Sequence, residues 1–196
     1  MRFAAIVALA CLCAGGAAAA MPGPSEVVGR FDDVLLNVMQ NAAALGIKGR
    51  YQKLEPVVLA TFDVPFMTRL SIGPLWAKGS PREAACLQGL LPLYAATYAN
   101  RFDDYSGEKF EVLGEQRLKH GTLVRTDIVK SDGDKVAINY VLHDNDTAWQ
   151  IRDVYLSGTI SELATRRSDF TSTLRSGGIE ALIVRLNEKA DDLLAH

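Results

Sequence analysis

Apolar residues recur every three or four positions along the first half of the chain, and this spacing predicts amphipathic helices. The first predicted helix begins near the possible cap Ser25 and ends at Gly46 and Gly49. A second, short helix is expected over residues 51–61, and Asp63 is a candidate cap for a third. The pattern therefore predicts a helical N-terminal half.

A clear start signal opens the longest of these predicted helices. Ser80-Pro81-Arg82-Glu83 places a capping serine before a proline at the first helical position and a glutamate at the third. Pro92 lies inside the helix and is expected to kink it, because proline lacks a backbone donor and clashes with the preceding turn. One apolar stripe follows the cap, formed by Leu87, Leu91, Tyr94, Tyr98 and Phe102.

From Lys109 onward the helical period gives way to alternation, which predicts β-strands. The segments 123–130 and 136–142 alternate, and Asp132-Gly133 between them is typical of a hairpin turn. With one strand before them and one at 149–156, they make a four-stranded antiparallel meander.

The chain returns to helical spacing after Gly158. Thr159-Ile160-Ser161-Glu162 forms a second capping box, and Gly177-Gly178 separates the helix that it opens from a final one. Along the sequence, predicted helices thus precede and follow the strands of one sheet, which predicts an α+β domain over residues 21–196. The pattern contains no linker and no internal repeat.

The N-terminal residues 1–20 have a different pattern, typical of a cleaved secretory signal peptide. Met1-Arg2 precedes an uncharged apolar run, and Ala18-Ala19-Ala20 supplies the small residues that a signal peptidase recognises. Cleavage after Ala20 would remove two of the three cysteines and leave Cys86 without an intramolecular partner. We therefore expect a soluble exported protein, in a bacterial periplasm.

Composition narrows the class of protein. The 196 residues are 48% hydrophobic and 22% charged, with a formal net charge of −2, which is typical of a globular domain and excludes disorder. The chain has 21 basic against 23 acidic residues, so it is not expected to bind nucleic acid through bulk positive charge.

Candidate catalytic chemistry is sparse. The sequence has no Gly-rich phosphate loop, HExxH or G-x-S-x-G motif. His120 and His143 are interpreted as solvated turn residues rather than metal ligands, and Cys86 as a small buried hydrophobe. Asp153 lies in an apolar strand, where it could serve as an acid or base, or could pair with an arginine or the backbone at a strand bend. Neither a catalytic residue, nor a metal, nor a cofactor is expected.

The order of several motifs resembles the MlaC-like, or toluene-tolerance, family of periplasmic lipid-binding proteins, and most closely its hopanoid-associated HpnM branch. The family has a phenylalanine-aspartate pair before a helix, then glycine and tryptophan, and near its end a glycine-x-x-serine pattern followed by arginine, phenylalanine and glycine. The matching segments are Thr61–Met67, Gly73–Trp76, Leu93–Tyr98, Tyr105–Glu108, Trp149–Val154 and Gly158–Gly178.

The resemblance implies a carrier that holds phospholipid or hopanoid tails in an apolar cavity between sheet and helices, without enzymatic activity. It also implies transient membrane contact and exchange of lipid with two partners, an inner-membrane ABC transporter complex carrying an MCE-domain protein and an outer-membrane protein. Two alternatives stay open: a pocket enzyme with Asp153 or Tyr140 as acid or base, and a cavity-free adaptor protein.

The candidate lipid-contacting residues come from three sources. The apolar stripe supplies the long-helix residues, because an amphipathic helix turns that face inward. The resemblance supplies the residues of the preceding segment, and the last two long strands supply the sheet side. The full set is Phe66, Met67, Leu70, Trp76, Leu87, Leu91, Tyr94, Tyr98, Phe102, Val141, Trp149 and Ile151.

Overall fold

The computed structural model describes residues 21–76 and 81–195. Within them the chain forms helices around one antiparallel sheet, so the predicted α+β class is confirmed. The helices are α1 (Pro24–Gln40), α2 (Ala42–Thr61), α3 (Val64–Ile72), α4 (Pro81–Arg101) and α5 (Glu162–Ala195), with a 3₁₀ turn at Gly73–Leu75. The strands are β1 (Lys109–Leu118), β2 (Gly121–Val129), β3 (Lys135–Asp144), β4 (Trp149–Leu156) and β5 (Ile160–Ser161).

The sheet has five strands rather than the predicted four. Its order is β1-β2-β3-β4-β5, and every neighbouring pair is antiparallel, which confirms the meander. The additional strand, β5, has two residues and pairs Ser161 with Tyr155 and Ile160 with Leu156. Two residues cannot display an alternation, and for this reason the sequence pattern did not reveal β5.

The N-terminal helices differ from the prediction in their boundaries. α1 ends at Gln40, and α2 begins at Ala42 instead of residue 51. Gly46 bends α2 near its start because it adopts φ +57° and ψ 177°, a conformation that glycine tolerates without steric cost. The glycine identified as a helix end is therefore a bend inside the next helix.

Of the predicted caps that the structure describes, Asp63 is confirmed, whereas Ser25 and Thr159 were wrong: Ser25 lies inside α1, whose N-cap residue is Gly23, and Thr159 lies in the turn before β5. The Asp63 side chain accepts a hydrogen bond from the Phe66 amide at 3.1 Å and so caps α3. The cap of α5 is Ser161 rather than Thr159, since Ser161 Oγ accepts a hydrogen bond from the Ala164 amide at 2.9 Å. Ser80 and the predicted signal peptide, residues 1–20, lie outside the described residues.

The two long helices differ in continuity. α4 extends from Pro81 to Arg101 as one helix and includes Pro92. The break predicted at Gly177-Gly178 is confirmed, because Gly178 has φ +70° and ψ −165° and divides α5 into two arms. Across the bend, Arg185 Nη1 of the second arm donates a hydrogen bond to Thr173 Oγ1 of the first at 3.0 Å. Among the helices of residues 21–76 and 81–195, none is long and apolar enough to cross a membrane.

A core of aromatic rings joins the helices to one face of the sheet. Phe31 of α1 is central to it, with ring centroids 5.3 Å from both Phe62 and Tyr98 and 6.2 Å from Tyr140 of β3. These contacts are edge-on, the geometry that aromatic pairs favour. The rings fix α1 and α4 over the middle of the sheet.

Candidate functional site

An apolar pocket of about 340 Å³ lies where the C-terminal part of α4 crosses β3 and β4. It is partly open to solvent and almost entirely lined by aliphatic and aromatic side chains. The lining residues are Tyr98, Arg101, Phe102, Val136, Ile138, Tyr140, Val154, Leu156 and Ser157.

Strand parity explains how the sheet presents these side chains together. Alternate residues of a strand point to the same face, so Ile138 and Tyr140 both face α4. Their partners in the register are Leu156 and Val154, which line the same pocket. A β-bulge in the β3–β4 pairing lies between Val141 and its neighbour Leu142, just beyond the pocket.

Helix α4 supplies the opposite wall of the pocket. Tyr98 and Phe102 are four residues apart on the same helix face, and their rings stack with centroids 5.9 Å apart. Burial raises the pKa of Tyr98 and of Tyr140 well above the ordinary tyrosine value, so both hydroxyls stay uncharged. The wall therefore offers an apolar surface free of ionised groups.

Charged groups lie at the edge of the pocket rather than inside it. Arg101 lines the rim, and its Nη1 donates a hydrogen bond to Glu162 Oε1 at 2.6 Å. The Glu162 side chain is buried and its charge is neutralised by this pair. A second pocket of about 320 Å³ lies between α4 and α5 beside the apolar pocket, and the two have Arg101 and Leu156 in common.

One carboxyl group is buried behind the pocket. The Tyr140 hydroxyl donates a hydrogen bond to Asp32 Oδ1 at 3.5 Å, and Asp32 Oδ2 is buried without a partner in the described part of the chain. Burial raises the pKa of Asp32 to about 7, which the bond from Tyr140 lowers in part. A polar pair thus lies within the aromatic core.

The structure brings two of the candidate lipid-contacting residues, Tyr98 and Phe102, into this pocket. The remaining helical and strand candidates lie elsewhere in the core or at its margin. Met67, Tyr94 and Ile151 are fully buried, Trp76, Leu87, Leu91 and Trp149 are half-buried, and Leu70 is 37% exposed. A role in lipid contact stays a prediction for all of them.

Phe66 and Val141 lie together, but in a different pocket. Val141 occupies the face of β3 opposite to Tyr140, and with Phe66 it lines a space of about 390 Å³ that also includes His120 and His143.

His143 was expected in a turn, and this was wrong. It lies within β3, half-buried, and its Nδ1 is buried with no hydrogen-bond partner in the described residues.

Sequence reasoning did not select the five β3 and β4 residues of the pocket as lipid contacts, although it named Tyr140 as a possible acid or base. They are Val136, Ile138, Tyr140, Val154 and Leu156. Their signal was present in the alternation of β3, which separates the even-numbered apolar residues from the odd-numbered ones. Val141, the residue chosen for the sheet side, lies on the face of β3 away from this pocket, since a shift of one residue exchanges the two faces.

The potentially reactive groups outside the apolar pocket are hydrogen-bonded or buried. Asp153 Oδ1 accepts hydrogen bonds from the Val154 and Leu163 amides, and its Oδ2 accepts one from Ser161 Oγ at 2.6 Å. Cys86 is buried as expected, and burial raises the pKa of its thiol to about 11. Residues 21–76 and 81–195 contain no cluster of three or more side chains suited to a metal ion.

Comparison with known proteins identifies the family. A family model described as MlaC protein matches residues 30–188. The chain belongs to the MlaC family. The matched segment extends from α1 into the second arm of α5 and includes the whole apolar pocket. Membership of the HpnM branch stays a prediction.

A solved structure shares the fold. It is a phospholipid-binding protein from Ralstonia solanacearum in complex with a phospholipid, 20% identical to this chain with a TM-score of 0.73. The match covers 85% of this chain and 96% of that one. No curated protein sequence matches the chain significantly.

Proposed function

We propose that this protein is a periplasmic lipid carrier that binds the acyl chains of a phospholipid in the pocket between α4 and strands β3 and β4. The apolar lining of that pocket is the observation that carries the proposal. Membership of the MlaC family and the phospholipid complex of the Ralstonia protein support it. The pocket needs no catalytic group, and the protein acts without enzymatic chemistry.

The energetics of lipid transfer suit such a lining. Each methylene withdrawn from water contributes about 0.8 kcal/mol, so a carrier must offer comparable apolar contact or the lipid stays in its membrane. Tyr98 and Phe102 on one side and Ile138 on the other provide this contact without ionised groups. Bound chains extend from here along Leu156 into the adjoining pocket.

In this proposal the carrier moves lipid between the inner and outer membranes. It exchanges its cargo with an inner-membrane ABC transporter complex carrying an MCE-domain protein and with an outer-membrane partner, as the resemblance implies. Residues 1–20 act as the signal that directs export. A hopanoid is an alternative cargo, because its fused apolar rings also match a pocket of aliphatic and aromatic side chains.

Purified protein tests the proposal directly. Mass spectrometry of organic extracts is expected to find phospholipid or hopanoid in about one molar equivalent with the protein. Extracts that contain neither lipid, together with failure of delipidated protein to bind phospholipid from vesicles, would overturn the proposal.

Ile138→Trp locates the lipid within the molecule. Ile138 is half-buried and borders open space, so a larger side chain can occupy the pocket with little overpacking. The amount of lipid retained by this variant is expected to fall about tenfold, because the loss of about 1–2 methylene contacts weakens binding by that factor. Its melting temperature is expected to stay nearly unchanged. Val184→Trp, at a position 55% exposed on α5, is the matched control and is expected to retain lipid. Full lipid retention by Ile138→Trp would place the chains elsewhere.

A further inference from the structure

The bend of α5 creates a second type of pocket, with an apolar floor and a basic rim. It has a volume of about 410 Å³ and lies between α4 and the two arms of α5. Leu93, Phe170 and Leu186 contribute to its floor. The charged residues around it are Arg166, Arg185, Lys189 and Asp169.

The rim of the basic pocket has a positive net charge, although the net charge of the whole chain is negative. Three cations meet one acid here, whereas the whole chain has a formal net charge of −2. In the described part of the chain, none of the ion pairs involves Arg166, Arg185 or Lys189. Converging cations without carboxylate partners favour the binding of an anion.

Arg166 has a donor group that lacks an acceptor. Its guanidinium carbon lies 4.1 Å from the centroid of the Tyr94 ring, so the side chain is held against α4. Arg166 Nε is buried without a hydrogen-bond partner among the described residues, and the guanidinium partly offsets the rise in the pKa of the Tyr94 hydroxyl that burial causes. A buried N–H without an acceptor costs free energy, which a bound anion would recover.

Shared lining residues connect this basic pocket to the apolar one through the pocket that lies between them. Arg166, Asp169 and Lys189 also line the intermediate pocket of about 320 Å³, which shares Arg101 and Leu156 with the apolar pocket. A molecule with an apolar part beneath Phe102 can therefore extend past Leu156 to Arg166. Such a molecule is an anionic amphiphile.

We propose that Arg166, with Lys189 and Arg185, binds the phosphate of the lipid headgroup while the acyl chains occupy the apolar pocket. This inference rests on the proposed function and adds a selectivity to it. Guanidinium groups form charge-assisted hydrogen bonds to phosphate oxygens, and these bonds are stronger than those between neutral groups. The protein therefore prefers phosphate-bearing lipids to neutral ones with the same chains.

The test compares three lipids with identical acyl chains: phosphatidylglycerol, phosphatidylcholine and diacylglycerol. Delipidated protein is titrated with each, and displacement of a fluorescent fatty acid reports binding. Wild-type protein is expected to bind both phosphate-bearing lipids about tenfold more tightly than diacylglycerol, the ratio expected of charge-assisted hydrogen bonds. Arg166→Gln is expected to abolish this preference and leave diacylglycerol binding unchanged.

Two further variants separate binding from folding. Lys189→Gln removes a positive charge from the rim and is expected to reduce the preference for phosphate-bearing lipids as well. Because the Lys189 side chain is exposed, this change is expected to leave folding unaffected. Arg175→Gln, on the exposed surface of the first arm of α5, makes the same charge change and is expected to have no effect.

The possible results distinguish this inference from the proposed function. Equal binding of all three lipids by wild-type protein, or equal weakening of all three by Arg166→Gln, would overturn the headgroup site and leave the carrier intact. Failure to bind any lipid would overturn both. Inorganic phosphate that binds delipidated protein at Arg166 as tightly as the phospholipids do would show a free-phosphate site, and would also overturn the assignment to a headgroup.

Discussion

At the scale of single residues, the buried carboxyl of Asp32 is the group most affected by its surroundings. Burial and the nearby Asp33 raise its pKa from 3.8 to about 7, although the bond from Tyr140 lowers it. The folded protein therefore holds the Asp32 proton more tightly than the unfolded chain does. The stability that this proton contributes is complete below pH 3.8 and is lost as the pH rises through about 7.

Asp32→Asn is expected to remove this pH dependence, because asparagine has a similar shape and does not ionise. At pH 8 the variant should exceed wild type in free energy of unfolding by about 1–3 kcal/mol, and below pH 4 the difference should largely vanish. Urea unfolding across this pH range measures it. Asp103→Asn, at an exposed position just after α4, is the control. A wild-type stability that does not fall between pH 5 and pH 8 relative to Asp32→Asn would contradict the prediction.

At the scale of elements, a carboxylate within β4 organises the start of α5. Asp153 binds the Leu163 amide in the first turn of the helix and the hydroxyl of Ser161, which in turn accepts from the Ala164 amide. These bonds satisfy helix donors that have no partner within the helix. They also explain why a carboxylate lies within an otherwise apolar strand.

Asp153→Asn is accordingly expected to change stability before it changes lipid exchange. The amide can still accept hydrogen bonds at Oδ1, but its nitrogen replaces the oxygen that accepts from Ser161. The free energy of unfolding should fall by about 1–2 kcal/mol while the lipid exchange rate of the folded protein stays constant. Asp191→Asn, at an exposed position of α5, is the control. Slower exchange at an unchanged melting temperature would indicate a functional role instead.

The elements also show where sequence patterns succeed and fail. Asp63 was identifiable as a cap because capping depends on a few adjacent residues, whereas the cap of α5 was placed at Thr159, two residues before the actual cap Ser161. Gly46 was misread as a helix end, since a glycine favours a bend and an end alike. The sheet face of the pocket was missed because Val141 and Tyr140 differ by one position and face opposite ways. Periodicity predicts the elements well, but tertiary packing decides which apolar face encloses open space.

At the scale of the whole molecule, the pocket links lipid binding to stability. Tyr98 and Phe102 border open space on the side facing β3, where a filled core would have further side chains. A ligand that binds only the folded state stabilises it according to its concentration and affinity. The delipidated protein should therefore be less stable than the loaded one.

Loading with phospholipid at 100 times the dissociation constant is expected to stabilise the fold by about 2.7 kcal/mol. For a chain of this length, the melting temperature should rise by roughly 5–10 °C. Calorimetry of delipidated and loaded protein measures the shift, and Ile138→Trp serves as the control because its pocket is filled. A shift of equal size in this variant would show that the lipid stabilises the protein from another site.

The order of elements along the chain also bears on how the protein folds. Strands β1 to β4 follow one another and pair with their neighbours, so the meander assembles from contacts that are close in sequence. Such contacts form faster than those between distant segments. α5 is the last helix, and it packs against α3 and α4, which precede the whole sheet. During synthesis from the N-terminus, the face of α4 that α5 covers thus stays uncovered until α5 itself has been made. A chain stopped before Glu162 would expose this apolar face, and we expect it to aggregate or to need a chaperone.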